Sequence, residues 1–152
     1  MKKENTKKVL NVYKPLRKSP LETIELFRQK NPEYQNIKLG YAGRLDPMAE
    51  GVLLILVGEE LKSQKTYWSL DKELVKGDFR QKLIMTIWKN IFRKTKQKEF
   101  FTIKIKIFVS SGAYIRTIAH EFGKKLGTNA ILLHLKRTKV GKFKEQKSLK
   151  FI

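Results

Sequence analysis

Gly51-Val52-Leu53-Leu54-Ile55-Leu56-Val57-Gly58 decides the fold. A short apolar run without alternation, closed at each end by glycine, reads as a buried central strand. Directly ahead lies Tyr41-Ala42-Gly43-Arg44-Leu45-Asp46-Pro47-Met48-Ala49-Glu50, with Asp46 between a glycine-flexed turn and a proline at the mouth of that strand. Aspartate beside Gly and Pro is ordinarily a turn residue that bonds its own backbone. In a chain of formal net charge +20, one acid held at a strand mouth also suggests chemistry on a polyanion.

Upstream, Val9 to Val12 is a short strand candidate closed by Tyr13-Lys14-Pro15, and Lys2 to Lys8 is a flexible basic arm. Ser19-Pro20-Leu21-Glu22 carries a hydroxyl N-cap, a proline at the first helical position and a glutamate three residues after the cap. Leu21, Ile24 and Phe27 continue one apolar face, and Asn31-Pro32 ends the helix. Downstream, Glu60 to Leu70 reads as helical with Leu61, Lys65 and Trp68 near one face. Leu83, Ile84, Ile87, Trp88, Ile91 and Phe92 recur at helical spacing before the basic loop Arg93 to Lys98.

Phe101 to Val109 alternates apolar and polar residues and predicts a half-buried strand. Ser110-Ser111-Gly112 turns the chain into a helix carrying Ile115, Ile118, Ala119, Phe122 and Leu126, ended by Gly127. A last strand runs from roughly Ala130 to Val140. With no repeat and no linker, 1–152 reads as one α+β domain with a mixed, largely antiparallel central sheet and flanking helices.

Composition narrows the function. The 152 residues hold 34 Lys+Arg against 14 Asp+Glu, and no cysteine. That removes disulfides, thiolate zinc sites and cysteine nucleophiles, and it fits a cytoplasmic protein. Two histidines, His120 and His134, are too few for a histidine-rich metal site, and no metal or cofactor is expected. The charge favours nucleic acid over an anionic membrane surface, with salt-dependent binding.

Gly40 to Gly58 resembles the catalytic motif of the tRNA pseudouridine synthases of the TruB and dyskerin type. Ser110-Ser111-Gly112-Ala113-Tyr114-Ile115-Arg116-Thr117-Ile118-Ala119 resembles that family's later motif. Asn11-Val12-Tyr13-Lys14-Pro15 and Leu135-Lys136-Arg137-Thr138, with Gly141 and Phe143, are two further similar pieces, and all four occur in the family's order. The resemblance implies a pseudouridine-synthase-like catalytic core that isomerises the T-arm uridine of tRNA (uridine 55) after base flipping. It also implies Asp46 as the catalytic aspartate, Arg116 as its partner and Leu135 as an apolar neighbour of the target base. Tyr41, Arg44, Tyr114 and Lys14 complete the candidate substrate contacts, with core packing the alternative for Tyr114 and a structural role the alternative for Lys14. A carboxylate that works in its charged form needs a fixed cation close by, and a planar guanidinium can hold it in two parallel bonds.

The chain departs from the family pattern in four respects. Leu74 stands where the family carries a tyrosine that stacks on the flipped uracil, and Tyr41 stands where it carries a histidine. The central segment from Val75 to Lys98 is compact, and the sequence reads as a shortened member without the family's C-terminal RNA-binding domain. The expected partner is the tRNA T-arm, with no membrane and a monomeric state. The alternative function is a catalytically impaired relative that binds or chaperones structured RNA.

Overall fold

A computed structural model describes residues 8–75 and 101–151. Among the described residues seven strands form one sheet: β1 (Val9–Lys14), β2 (Leu39–Ala42), β3 (Ala49–Val57), β4 (Lys72–Val75), β5 (Lys106–Val109), β6 (Leu135–Val140) and β7 (Phe143–Lys144). The path runs β1-β3-β6-β4-β5, with β2 on β3 and β7 on β6. All pairs are antiparallel except β3 with β6. Helices α1 (Pro20–Lys30), α2 (Gln64–Trp68) and α3 (Ile115–Lys125) flank it. The mixed α+β expectation holds.

β3 is buried along its whole length because both of its faces are covered. Ile55 and Val57 join Leu10, Val12, Ile24, Phe27 and Tyr34 on the α1 side. Val52, Leu54 and Leu56 meet Ala42 and Val140 on the other, with Leu61, Tyr67, Leu70 and Phe143 packed behind them. Period-2 side-chain geometry therefore sends alternate members of one apolar run into two cores, which is why the run shows no alternation.

The edges of β3 are shared unequally. β1 pairs with residues 51–56 along one edge, while the other edge forks. β6 takes Ala49–Gly51 and β2 takes residues 54–57. Gly51 lets the fork close. Its φ is +109°, and a Cβ there would lie 2.2 Å from the Arg137 carbonyl oxygen, a contact no side chain tolerates.

α1 starts as the sequence predicts. Ser19 Oγ accepts from the Glu22 amide, and the Glu22 carboxylate accepts from the Ser19 amide at 2.7 Å, the reciprocal capping box. Its buried face is Pro20, Thr23, Ile24 and Phe27. Leu21 is exposed instead, since the helix turns its first residue, Pro20, toward the core. The expected Glu60–Leu70 helix is a 3-10 stretch, Gly58–Ser63, followed by the short α2, and Trp68 faces outward.

The predicted strand from Phe101 is shorter than its alternation suggests. Among the described residues β5 pairs with β4 over Lys106–Val109, and Phe101, Ile103 and Ile105 are exposed. Likewise the last strand begins at Leu135, not Ala130. α3 ends as read: the Gly127 amide donates to Lys124 and the Thr128 amide to Gly123, with Gly127 at φ +69°. That is a Schellman stop. The basic arm up to Lys7, the apolar segment 83–92 and the basic loop 93–98 lie outside the described residues.

Candidate active site

Asp46 sits in the turn between β2 and β3. The Ala49 amide donates to the Asp46 carbonyl at 2.9 Å, and the Arg17 amide donates to the Pro47 carbonyl at 2.7 Å. Just before it, Gly43 takes φ +79°, a conformation that admits glycine at no steric cost. Leu45 is buried beneath the turn. Backbone bonds and one apolar anchor thus fix the turn and leave the carboxylate outside, its side chain 44% exposed.

Arg116 comes from the first turn of α3. Its Nε lies 3.4 Å from Asp46 Oδ2, with the guanidinium side chain 70% exposed. Two residues far apart in sequence therefore meet as an open ion pair, reachable from solvent. A pair this exposed contributes little to folding, and both groups remain open to a ligand.

Beneath the turn lies a residue that the sequence reading named only as part of a motif. Arg137 is 3% exposed. Its Nε donates to the Val52 carbonyl at 2.8 Å, in the gap of the forked β3 edge between β6 and β2. Nη2 reaches the Gly43 carbonyl at 3.1 Å and Nη1 the Arg44 carbonyl at 3.4 Å. One guanidinium thus satisfies the carbonyl that the fork leaves open and holds the loop leading to Asp46. Burial lowers its pKa to about 10, which leaves it charged at neutral pH. The signal in sequence was the arginine directly opposite Gly51 in the parallel pair, but the pairing is visible only in the fold.

A second buried polar group was also missed. Glu50 follows the turn and is nearly inaccessible. Tyr13 Oη donates to its Oε2 at 2.6 Å, and His134 Nε2 lies 3.2 Å from its Oε1. Burial pushes the Glu50 carboxyl up, but the bonds from His134 and Tyr13 outweigh it and hold the group below the usual carboxylate range. His134 therefore helps to join β3 to the chain entering β6.

The remaining candidates divide. Arg44 is exposed on the turn, and Leu135 is half-buried opposite Ala49 at the start of β6, beside the strand mouth. Tyr114 does not take the core-packing alternative: it is 73% exposed at the N-cap of α3, two residues from Arg116. Tyr41 is no free platform, because its ring packs against the α1-side core. Lys14 is corrected too. It is fully buried, and its Nζ donates to the carbonyls of Pro15 and Lys18 at 2.9 and 2.5 Å. Burial and then Arg137 bring its pKa down to about 8; it is a structural lysine. Leu74 is buried in β4. Tyr67, the nearest tyrosine before it, is committed through its hydroxyl to Glu60 at 2.6 Å. Among the described residues no His/Cys/Asp/Glu group could hold a metal, and no helix is long and apolar enough to cross a membrane.

Known proteins resemble this chain in sequence and fold. A family model described as TruB family pseudouridylate synthase (N terminal domain) matches residues 28–80. A probable tRNA pseudouridine synthase B from Nanoarchaeum equitans is 28% identical, across 93% of this chain and 48% of its own length. A tRNA pseudouridine synthase B from Campylobacter jejuni is 30% identical, across 90% of this chain and 72% of its own. Among solved structures, the archaeal box H/ACA sRNP Nop10-Cbf5 complex contains a chain that superposes with TM-score 0.70 at 26% identity. The match covers 94% of this chain and 51% of that one. The chain thus spans about half the length of several proteins it matches. By its fold, its motif order and its identity to the Campylobacter enzyme, this chain belongs to the TruB family of pseudouridine synthases.

Proposed function

We propose that this chain is a tRNA pseudouridine synthase acting on the T-arm uridine, uridine 55, with Asp46 as the catalytic carboxylate. The observation that carries the proposal is the open Asp46–Arg116 pair, 3.4 Å apart, on a turn held from below by Arg137. The relatives' names supply the reaction class.

The reaction breaks the N1–C1′ bond, turns the base over and joins C5 to C1′. A proton leaves C5 and N1 gains one, so atoms and charge balance without a redox partner. A base buried in a stacked loop must first be extruded, at a cost of a few kcal/mol. Asp46 then supplies the anionic oxygen against the sugar or the base. Arg116 holds that oxygen in place before the nucleotide arrives, so little reorganisation remains at the moment of reaction. Leu135, Arg44 and Tyr114 lie around the strand mouth and Arg116 and would line the nucleotide's site.

Unmodified tRNA transcript incubated with the purified protein should acquire pseudouridine at that uridine. Asp46→Asn should reduce the single-turnover rate by about 1,000-fold or more, in the range seen when a group essential to the transition state is lost, while tRNA affinity stays within about threefold. Binding by both proteins with modification by neither would instead favour the RNA-binding alternative.

A further inference from the structure

One face of the β5-β4-β6-β7 half of the sheet is committed to the core through Leu74 and Val140. The opposite face carries a continuous cross-strand row. Phe108 lies opposite Glu73, Glu73 opposite Lys139, and Lys139 opposite Lys144. Directly opposed residues project from the same face. Three strand spacings make the row about 14 Å long. Phe108 stands at one end, 71% exposed, with Lys106 Nζ 5.2 Å from its ring centroid. At the other end Glu73, Thr138, Lys139, Lys144 and Gln146 line a polar pocket of about 210 Å³.

The charges in this row are unbalanced in a specific way. Glu73 is its one acid and is already engaged: Lys106 Nζ lies 3.0 Å from Oε1, and Thr138 Oγ1 donates to the same oxygen at 3.0 Å. Lys136 is taken by Glu145 at 2.7 Å. Lys139 and Lys144 make no ion pair among the described residues, although they face each other across two strands. Like charges directly opposite weaken a sheet, and a phosphate between them removes that cost. An exposed aromatic ring at one end and unneutralised ammonium groups at the other is the pattern that tracks a single-stranded backbone and stacks a base.

We propose that the row Phe108–Glu73–Lys139–Lys144 is a binding site for an unpaired stretch of RNA, with Lys139 and Lys144 holding backbone phosphate and Phe108 stacking a base. This rests on the reading that the chain acts on RNA. β6 carries both places on opposite faces of the sheet: Leu135 lies beside Ala49 at the strand mouth, and Lys139 is roughly 13 Å further along the same strand on the other face.

The test is fluorescence anisotropy of labelled unmodified tRNA transcript across a salt series. Lys139→Gln/Lys144→Gln should lower the magnitude of the slope of log K against log[salt] by about 1.4, two single-strand phosphate contacts. Phe108→Ala should weaken binding by about fivefold or more with the slope unchanged. The control Lys30→Gln/Lys38→Gln removes the same charge from exposed positions outside the row and should shift the slope by less than half as much. Thermal melts check that all variants are folded. The proposal is overturned if the row pair leaves the slope unchanged or if the control pair lowers it equally. Pseudouridine formation by the wild type is scored separately. A chain that binds through the row without modifying tRNA refutes the catalytic reading and supports this one, whereas a wild type that does not bind overturns both.

Discussion

Lys14 and Arg137 put two cations inside the fold within electrostatic reach of each other, close to the Asp46 turn. Lys14 pays for this in proton affinity. Its amine titrates near 8 when folded, against 10.5 for an ordinary lysine. The unfolded chain therefore binds more protons between about pH 8 and 10.5, and stability gains with pH across that window. Thermal melts of wild type and Lys14→Met at pH 7 and pH 9.5 should show the wild type gaining relative to the variant at the higher pH. No relative change would mean that Lys14 is solvated. At this scale Asp46 and Arg116 were legible, since a carboxylate in a Gly/Pro turn and an arginine entering a helix are recognisable from their immediate neighbours. The burial of Lys14 and Arg137 was not. Their partners are carbonyl oxygens, which every residue possesses, so no residue type announced them.

Among the elements, β3 and α1 were the most readable because their signals are local: a glycine-bounded apolar run and a capping box. Ser19→Ala should cost about 1 kcal/mol in denaturant unfolding, the usual loss for a hydroxyl cap. Gly51→Ala should cost several times more and disrupt the β3–β6 register, since the added Cβ meets backbone rather than a movable side chain. Amide hydrogen exchange at Leu135 to Arg137 would report it, and protection equal to wild type would contradict the close approach. Alternation from Phe101 to Val109 misled for a physical reason. Alternation states which face a residue could show, whereas pairing is a relation to a second strand that a residue's own neighbours do not state. The fork in the β3 edge left no trace in the sequence because it is a relation among three strands.

For the molecule as a whole, a net charge of +20 acts in opposite directions on folding and on binding. Self-repulsion opposes the compact state, and salt screens it over a Debye length of about 10 Å at 0.1 M. Raising salt from about 20 to 200 mM should therefore raise the melting temperature while weakening tRNA binding by two orders of magnitude or more. Melting that falls with salt would show that local ion pairs, not the net charge, dominate. The sense of the charge was plain from composition, but its concentration along one row of the sheet depended on the bulge between Glu73 and Leu74, which sets Lys139 opposite Glu73. The fork has a consequence during synthesis. The Asp46 turn leaves the ribosome together with β1, β2 and β3, yet the guanidinium that fills the gap beside Val52 follows 85 residues after that valine. A nascent chain that has Asp46 but not yet Arg137 carries that carboxylate on a loop without the guanidinium beneath it, so the turn is secured only well after it is made.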